Sequence, residues 1–368
     1  MTLIVNNDEI GQLLDAAEVM AVMESAYRDL GRDQAANRPR TDIYTPHELG
    51  DDTFYVFKSF EGMLPNSGVV ALRLNSDAIR WSRYAGSIRK DKIPLAPDGR
   101  WVGLILLFST RTCQLLAIMP DGAIQSARVA ATNALAARSM ARPDARVYGL
   151  LGTGQQAGAQ LAAMAHVREL AEVRVFSPDP AHRADFAGRY SQLTGLDVRA
   201  VDSVADAARG ADILGVATNA VRPVVGAECI EPGMHITCVK RGELDEAVLS
   251  RADRLVVHTH TEAPHNYFAG MPGQDGSAGA DPVVSDGDPA AHARDSAGVD
   301  FRTAPMLADL ITGTTTGRSG SEETNVFVNN MGAGIQFAAL GDLVYRKARE
   351  AGMGHELPDD WFSESLHP

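Results

Sequence analysis

Cysteine is scarce in this chain: Cys113, Cys229 and Cys238 are the only three in 368 residues. They are too few and too scattered for a disulfide framework or a zinc motif. Each lies in an apolar stretch, where cysteine behaves as a small hydrophobe, so a reducing compartment is expected. Positive charge is short as well. The 34 Lys+Arg against 47 Asp+Glu leave a formal charge of -13, which disfavours contact along a phosphate backbone and excludes nucleic acid as an expected partner. No run of about 18 apolar residues is available to cross a bilayer, and the opening MTLIVNNDEI has no basic region ahead of an apolar one. A cytoplasmic protein without a membrane partner is the expectation. What the chain does have is length, more than one hydrophobic core usually holds, so two domains are expected.

Up to about Pro120 the pattern mixes helix and strand. "DAAEVMAVMESAYRDLG" places Val19, Met20, Met23 and Tyr27 at helical spacing, while "FYVFKSF", "GVVALRLNS", "VGLILLFS" and "CQLLAIM" read as strands. Between Gly122 and Pro143, "AIQSARVAATNALAARSMAR" is Ala-rich, free of internal glycine and stopped by proline, which predicts one long helix joining two domains. From Arg146 apolar strands alternate with helices through "RVYGLL", "EVRVFS", "DVRAV", "ADILGVAT", "MHITCV" and "DRLVVH", the rhythm of a doubly wound parallel sheet. That sheet then reads as complete. Residues 263–300, dense in Gly, Asp, Pro and Ala with only the apolar pair Val283 and Val284, read as an exposed, mobile excursion. The last segment, from "NVFVNNMGAGIQ" onwards, is amphipathic through Ile335, Phe337, Leu340, Leu343 and Val344 and is expected to return to the first domain. The predicted fold is α/β, a Rossmann domain (145–309) inserted in an α+β substrate-binding and dimerisation domain (1–125 plus 310–368), with a connecting helix at 126–144.

"RVYGLLGTGQQAGAQLAAM" gives a strand, then Gly152-Thr153-Gly154-Gln155-Gln156-Ala157, then a helix, the order required by a dinucleotide fingerprint. Gly152 allows the tight turn, Gly154 lets the backbone approach a pyrophosphate, and Ala157 allows close packing of helix on strand. The backbone N–H groups at the helix start then face the phosphates. At the end of the second strand, in "RVFSPDPAHR", an NAD-preferring site carries a carboxylate for the ribose 2'-hydroxyl; here Ser177 stands there, followed by Arg183. That pattern favours NADP(H) over NAD(H), the alternative being that Asp179 reaches back to the ribose and Arg183 decorates a helix start. Thr218, after the fourth strand, is a further expected cofactor contact.

The chain resembles the ornithine cyclodeaminase and mu-crystallin family over nearly its whole length. The likeness is carried by "DGAIQSARVAATNALAARSMARPDA" leading into "GLLGTGQQA", by "ADILGVATNAVRPVV" with "EPGMHITCV", and by "NVFVNNMGAGIQFAALGDLVYRKAREAGMGHELP". It implies a homodimer whose N-terminal domain, completed by the C-terminal helix, faces NAD(P) across a cleft, and chemistry on imines of α-amino acids. It also implies that basic side chains hold the substrate carboxylate, at positions matched here by Arg40, Arg73 and Arg128. A planar guanidinium fork suits that task; otherwise Arg40 and Arg73 are solvated strand residues and Arg128 braces its helix.

Two departures from the family pattern matter. Arg73 stands where the family has Lys, and Arg cannot give up a proton at neutral pH, which leaves Lys58 on a neighbouring strand as the candidate for proton transfer. The loop that carries a catalytic Asp in cyclodeaminases looks deleted, passing through Lys240-Arg241-Gly242 to Glu243-Leu244-Asp245, where both carboxylates read as helix-capping charges. His258, His260 and His265 could suggest a metal, but they read better as polar lining at the strand ends, and no metal is expected. The span 77–100 holds six Arg/Lys against three Asp in an acidic chain and reads as a solvated hairpin or a cationic lip for anionic substrates. The expected function is an NAD(P)H-dependent oxidoreductase acting on the C=N or CH–NH bond of a small α-imino or α-amino acid. Cyclodeamination with a recycled cofactor and non-catalytic ligand binding are the alternatives.

Overall fold

The computed structural model describes residues 1–84, 87–220, 222–260, 265–270 and 301–366. The chain opens with β1 (Thr2–Ile4), α1 (Asn7–Leu13) and α2 (Ala16–Leu30). Asp15 caps α2 through Ala17 N–H and Glu18 N–H, and its buried face is Val19, Met20, Met23, Ala26 and Tyr27, as the spacing predicts. Seven strands follow: β2 (Ala36–Asn37), β3 (Thr41–Pro46), β4 (Thr53–Leu64), β5 (Val69–Tyr84), β6 (Ser87–Ile93), β7 (Val102–Ser109) and β8 (Leu115–Pro120). β5 and β6 form the hairpin expected at 77–100. Helix α3 (Gly122–Met140) is buried over most of its length and ends before Pro143.

The second unit comprises β9 (Val147–Leu151), α4 (Gln155–Val167), β10 (Glu172–Phe176), α5 (Pro180–Thr194), β11 (Asp197–Ala200), α6 (Val204–Ala208), β12 (Ile213–Val216), β13 (His235–Cys238), α7 (Glu246–Ser250) and β14 (Arg254–Val257). After it come β15 (His265–Phe268), α8 (Leu307–Thr312), β16 (Asn325–Val328), α9 (Gly334–Ala351) and β17 (His355–Leu357). Among the described residues no helix is long and apolar enough to cross a membrane.

Two sheets organise these elements. One runs β15-β3-β4-β5-β7-β8-β1-β17, with β2 added on β4 and β6 on β5; the other runs β11-β10-β9-β12-β13-β16-β14, parallel throughout. The reversal of strand order at β9 and β12 opens the crevice where doubly wound sheets take ligands, beyond the carboxyl ends of the strands. α9 lies across the inner face of the first sheet, with Phe337 against Phe60 at 5.8 Å between ring centroids. The C-terminal helix therefore buries its apolar face on β4 and β5 of the first sheet.

Two assignments are corrected. The parallel sheet is not complete at "DRLVVH": Asn325–Val328, assigned to the C-terminal part of the first domain, pairs between β13 and β14. Four buried residues in a row carry no alternation to separate a core strand from the start of an amphipathic helix. Conversely, His265–Phe268, assigned to the excursion at 263–300, pairs in parallel with β3 and extends the first sheet. The rest of that excursion, including Val283 and Val284, lies outside the described residues.

Candidate functional site

The first half of the site is the turn after β9. Gly152 has φ of 113°, and a Cβ there would stand 2.2 Å from the Ala217 carbonyl oxygen, so the turn admits only glycine. Gly154, the N-cap of α4, has an ordinary φ of -82°, and a Cβ on it would meet nothing within 4 Å. No side chain caps α4, which leaves the N–H groups of its first turn, at Gln155 and Gln156 after Thr153 and Gly154, without a side-chain acceptor among the described residues. Ala157 is fully buried in the apolar cluster between α4 and the sheet. This cradle fits a pyrophosphate: backbone donors, the helix dipole and the absent side chain at Gly154 all favour an anion there.

Ser177 ends β10. Arg183 donates from Nη1 to the Ser177 carbonyl oxygen at 3.0 Å, pairs with Asp202 and lies 5.8 Å from the Phe176 ring. Asp179 does not reach back toward a ribose, because its Oδ1 accepts from Ala181 N–H and His182 N–H and caps α5. Thr218 follows β12, with its N–H and hydroxyl both donating to Glu243 Oε1 at 2.7 Å. Glu243 is therefore no capping charge. It is fully buried, its Oε2 accepts from Val239 N–H and Lys240 N–H, and it ties together the loops leaving β12 and β13. Burial raises its pKa above the ordinary carboxylate value. Asp245 alone behaves as expected, capping α7 through Ala247 N–H.

The second half lies on the inner face of the first sheet. Register sets Lys58 beside Asn75 and Phe60 beside Arg73 on β4 and β5. Arg73 donates from Nε and Nη2 to Asp121 Oδ2 at 2.8 and 2.5 Å, and its guanidinium stacks between Phe60 and Phe337. Arg40 pairs with buried Asp42 at 2.8 Å and lies over the other part of Phe60. Arg128, projecting from α3, lies over Phe337 at 5.4 Å. Two phenylalanines thus collect three guanidinium groups. Sequence spacing offered no sign of this wall, because Phe60 and Phe337 are 277 positions apart and meet only through α9.

Arg128 has the most unusual surroundings. It is 7 % exposed, and its partners are neutral amides: Nη1 donates to Gln336 Oε1 at 3.0 Å and Nε to Gln125 Oε1 at 3.2 Å. Among the described residues no carboxylate lies within ion-pair distance. Burial, reinforced by neighbouring Arg73, lowers its pKa to about 9, which leaves it charged at neutral pH. Burying a cation without a partner costs several kcal/mol, a cost that an arriving carboxylate offsets.

Behind Arg128 runs a buried chain of hydrogen bonds. Gln336 Nε2 donates to Tyr27 Oη and to Thr132 Oγ1, both at 2.8 Å; Thr132 donates to the Arg128 carbonyl; Tyr27 Oη lies 2.6 Å from His258 Nε2. His258 Nδ1 meets the Met331 carbonyl, so Nε2 is the acceptor, and burial lowers the ring's pKa to about 4. His260 likewise contacts the Ala304 carbonyl. Both rings are held by the protein rather than presented as ligands, and no cluster of metal-binding side chains occurs among the described residues.

Lys58 sits 8 % exposed, 3.1 Å from Asp77 Oδ2, which also takes Lys92 at 2.9 Å. Burial lowers the Lys58 pKa to about 7, with Asp77 opposing and Lys92, Lys90 and Arg40 assisting. Burial also works against the Asp77 charge, but the two ammonium groups hold its pKa below the ordinary value.

The chain thus combines a parallel, doubly wound sheet, whose first strand-to-helix turn is of the dinucleotide type, with a second sheet against which Arg40, Arg73 and Arg128 gather on Phe60 and Phe337. The chain belongs to the ornithine cyclodeaminase/mu-crystallin family, whose model matches residues 98–352. It is similar to alanine dehydrogenase of Archaeoglobus fulgidus, 26 % identical over 97 % of this chain and 98 % of that one. Its fold matches the Thermococcus litoralis Delta(1)-pyrroline-2-carboxylate reductase solved with NADH and L-proline, with a TM-score of 0.75 and 24 % identity over 97 % of this chain and 100 % of that one. An archaeal alanine dehydrogenase dimer with bound NAD gives 0.74 and 23 % over 97 % and 99 %.

Proposed function

We propose that this chain is an NAD(P)H-dependent oxidoreductase that interconverts the C=N and CH–NH bonds of a small α-imino or α-amino acid. The observation that carries the reading is Arg128, a buried cation without an acidic partner among the described residues, gathered with Arg73 and Arg40 on Phe60 and Phe337. The relatives named alanine dehydrogenase and pyrroline-2-carboxylate reductase support the reaction class. The bound nicotinamide supplies or accepts the hydride. Gly152 to Ala157 would hold its pyrophosphate, with Ser177, Arg183 and Thr218 along the crevice. Arg128, Arg73 and Arg40 orient the substrate carboxylate, and positioning of this kind supplies much of the rate. Lys58 gives the proton to the substrate nitrogen in reduction and takes it back in oxidation. The loop directly after β13, Val239 to Gly242, holds no Asp, and Asp245 beyond it is committed to capping α7, which disfavours cyclodeamination. A screen of 2-oxo acids with ammonium or amines, read at the NAD(P)H absorbance band, tests the reading; ammonia release from diamino acids without absorbance change would replace it with the lyase.

The sign of the pH dependence follows from Lys58. With its pKa near 7, kcat/KM for reduction should fall as pH rises through that value, because the ammonium is the donor, while oxidation should rise over the same interval. In Lys58→Met both inflections should vanish and both rates drop, by about 100-fold or more. Parallel profiles for wild type and variant would remove Lys58 from the reaction.

For cofactor choice we infer NADP(H), since Arg183 is fixed at the end of β10 and Asp179 is committed to its cap. Arg183→Ala should weaken NADP(H) binding about tenfold more than NAD(H) binding in parallel titrations. Equal losses would return Arg183 to a helix-bracing role. We also infer a homodimer, as in the archaeal neighbour: Ile43 and Tyr267 stand side by side and exposed on the outer face of the first sheet. Light scattering on the purified protein decides this.

A further inference from the structure

We propose that the substrate carries a second carboxylate, away from its α-carbon, and that Lys92 receives that group. This rests on the imine-reductase reading and adds to it the substrate class, an amino or imino dicarboxylic acid. Two ammonium groups, Lys58 and Lys92, meet the same oxygen of Asp77, at 3.1 and 2.9 Å, while the other oxygen is buried without a hydrogen-bond partner among the described residues. Lys90 follows on the same face of β6, 4.8 Å from the Trp81 ring, and its charge is felt by Lys58 and by Lys240 at the end of β13. Lys58 thus sits among cations, with Lys92, Lys90 and Arg40 all opposing its charge.

The charge balance separates the possible substrates. Arg40, Lys58, Arg73, Lys92 and Arg128 face Asp42, Asp77 and Asp121, a surplus of two positive charges when all are ionised. An α-carboxylate on the arginines uses one. The other remains at the lysine corner, where an aliphatic substrate chain would lie against ammonium groups and desolvate them without return. A second carboxylate balances the corner and keeps Lys58 protonated for its task, whereas a phosphate, at about -1.5 to -2, overshoots. The aromatic wall of Phe60 and Phe337 lines only the arginine end.

The test uses the full chain loaded with its cofactor and compares charged with uncharged acids: turnover of 2-oxoglutarate against 2-oxopentanoate with ammonium, and calorimetric binding of the isosteric pairs L-glutamate against L-glutamine and L-aspartate against L-asparagine. The diacid should win by at least about tenfold in one size class, and Lys92→Gln should bring that ratio close to one. Because Lys92 also influences Lys58, the ratio within a pair is the readout. Equal or better performance by the uncharged members, stronger binding of L-phosphoserine, or an unchanged ratio in Lys92→Gln overturns the proposal while leaving the imine-reductase reading in place. If no acid of either kind is bound or turned over, the reading itself fails and the second carboxylate with it.

Discussion

Arg128→Met is expected to lose at least about 100-fold in kcat/KM for the carboxylate substrate, with cofactor affinity little changed. Removing one charged partner in a closed site costs about 2 to 5 kcal/mol, and among the described residues Arg40 and Arg73 each have their own carboxylate while Arg128 has none. The free protein should gain rather than lose stability, because a buried unpaired charge is replaced by an apolar chain of similar length. Arg128→Lys keeps the charge but loses the planar fork that reaches Gln336, Gln125 and substrate together, so it should fall between wild type and Met. Kinetics and thermal unfolding on the same preparations separate these effects. Near-normal turnover by the Met variant would make Arg128 structural and put the carboxylate elsewhere.

Gly154→Val should abolish cofactor binding, a loss of more than about 100-fold in affinity, and leave the fold intact. The backbone at Gly154 is acceptable to any residue and a Cβ there enters open space, so the only thing a valine would meet is the incoming pyrophosphate. Gly152→Ala is the informative contrast. Its φ is in the region that favours glycine and its Cβ would collide with the Ala217 carbonyl, so that variant should lose the folded domain along with the cofactor. Unchanged affinity in a titration of folded Gly154→Val would remove the dinucleotide site from this turn.

The parts of the fold that were legible in the sequence are those with a local cause. The Ala-rich run stopped by Pro143 gave α3, the glycines at 152 and 154 marked the turn after β9, and the period of α9 announced its apolar face. What escaped is what depends on distant partners. β16 has no period of its own and is a strand because β13 and β14 flank it. The wall that gathers the arginines needs Phe60 from a strand and Phe337 from the last helix. Glu243 looked like a cap because it precedes α7 by three residues, yet a 3-10 turn folds it inward onto Thr218. Arg128 could be named from resemblance, but its lack of an acidic partner is visible only once the elements around it are assembled.

The pairing of the two sheets sets a rule for how this chain can be made. β1, at residues 2–4, lies against β17, at residues 355–357, and the parallel sheet stays open in its middle until residues 325–328 arrive between β13 and β14. Synthesis runs at about 5 to 20 residues per second, so β1, already paired with β8, waits roughly 18 to 70 seconds for its second neighbour. Until residues 325–328 arrive, β13 and β14 present unpaired edges, the kind of surface on which nascent chains aggregate. Fragments ending before residue 325 should therefore need a chaperone or precipitate, even though they contain the whole glycine-rich turn.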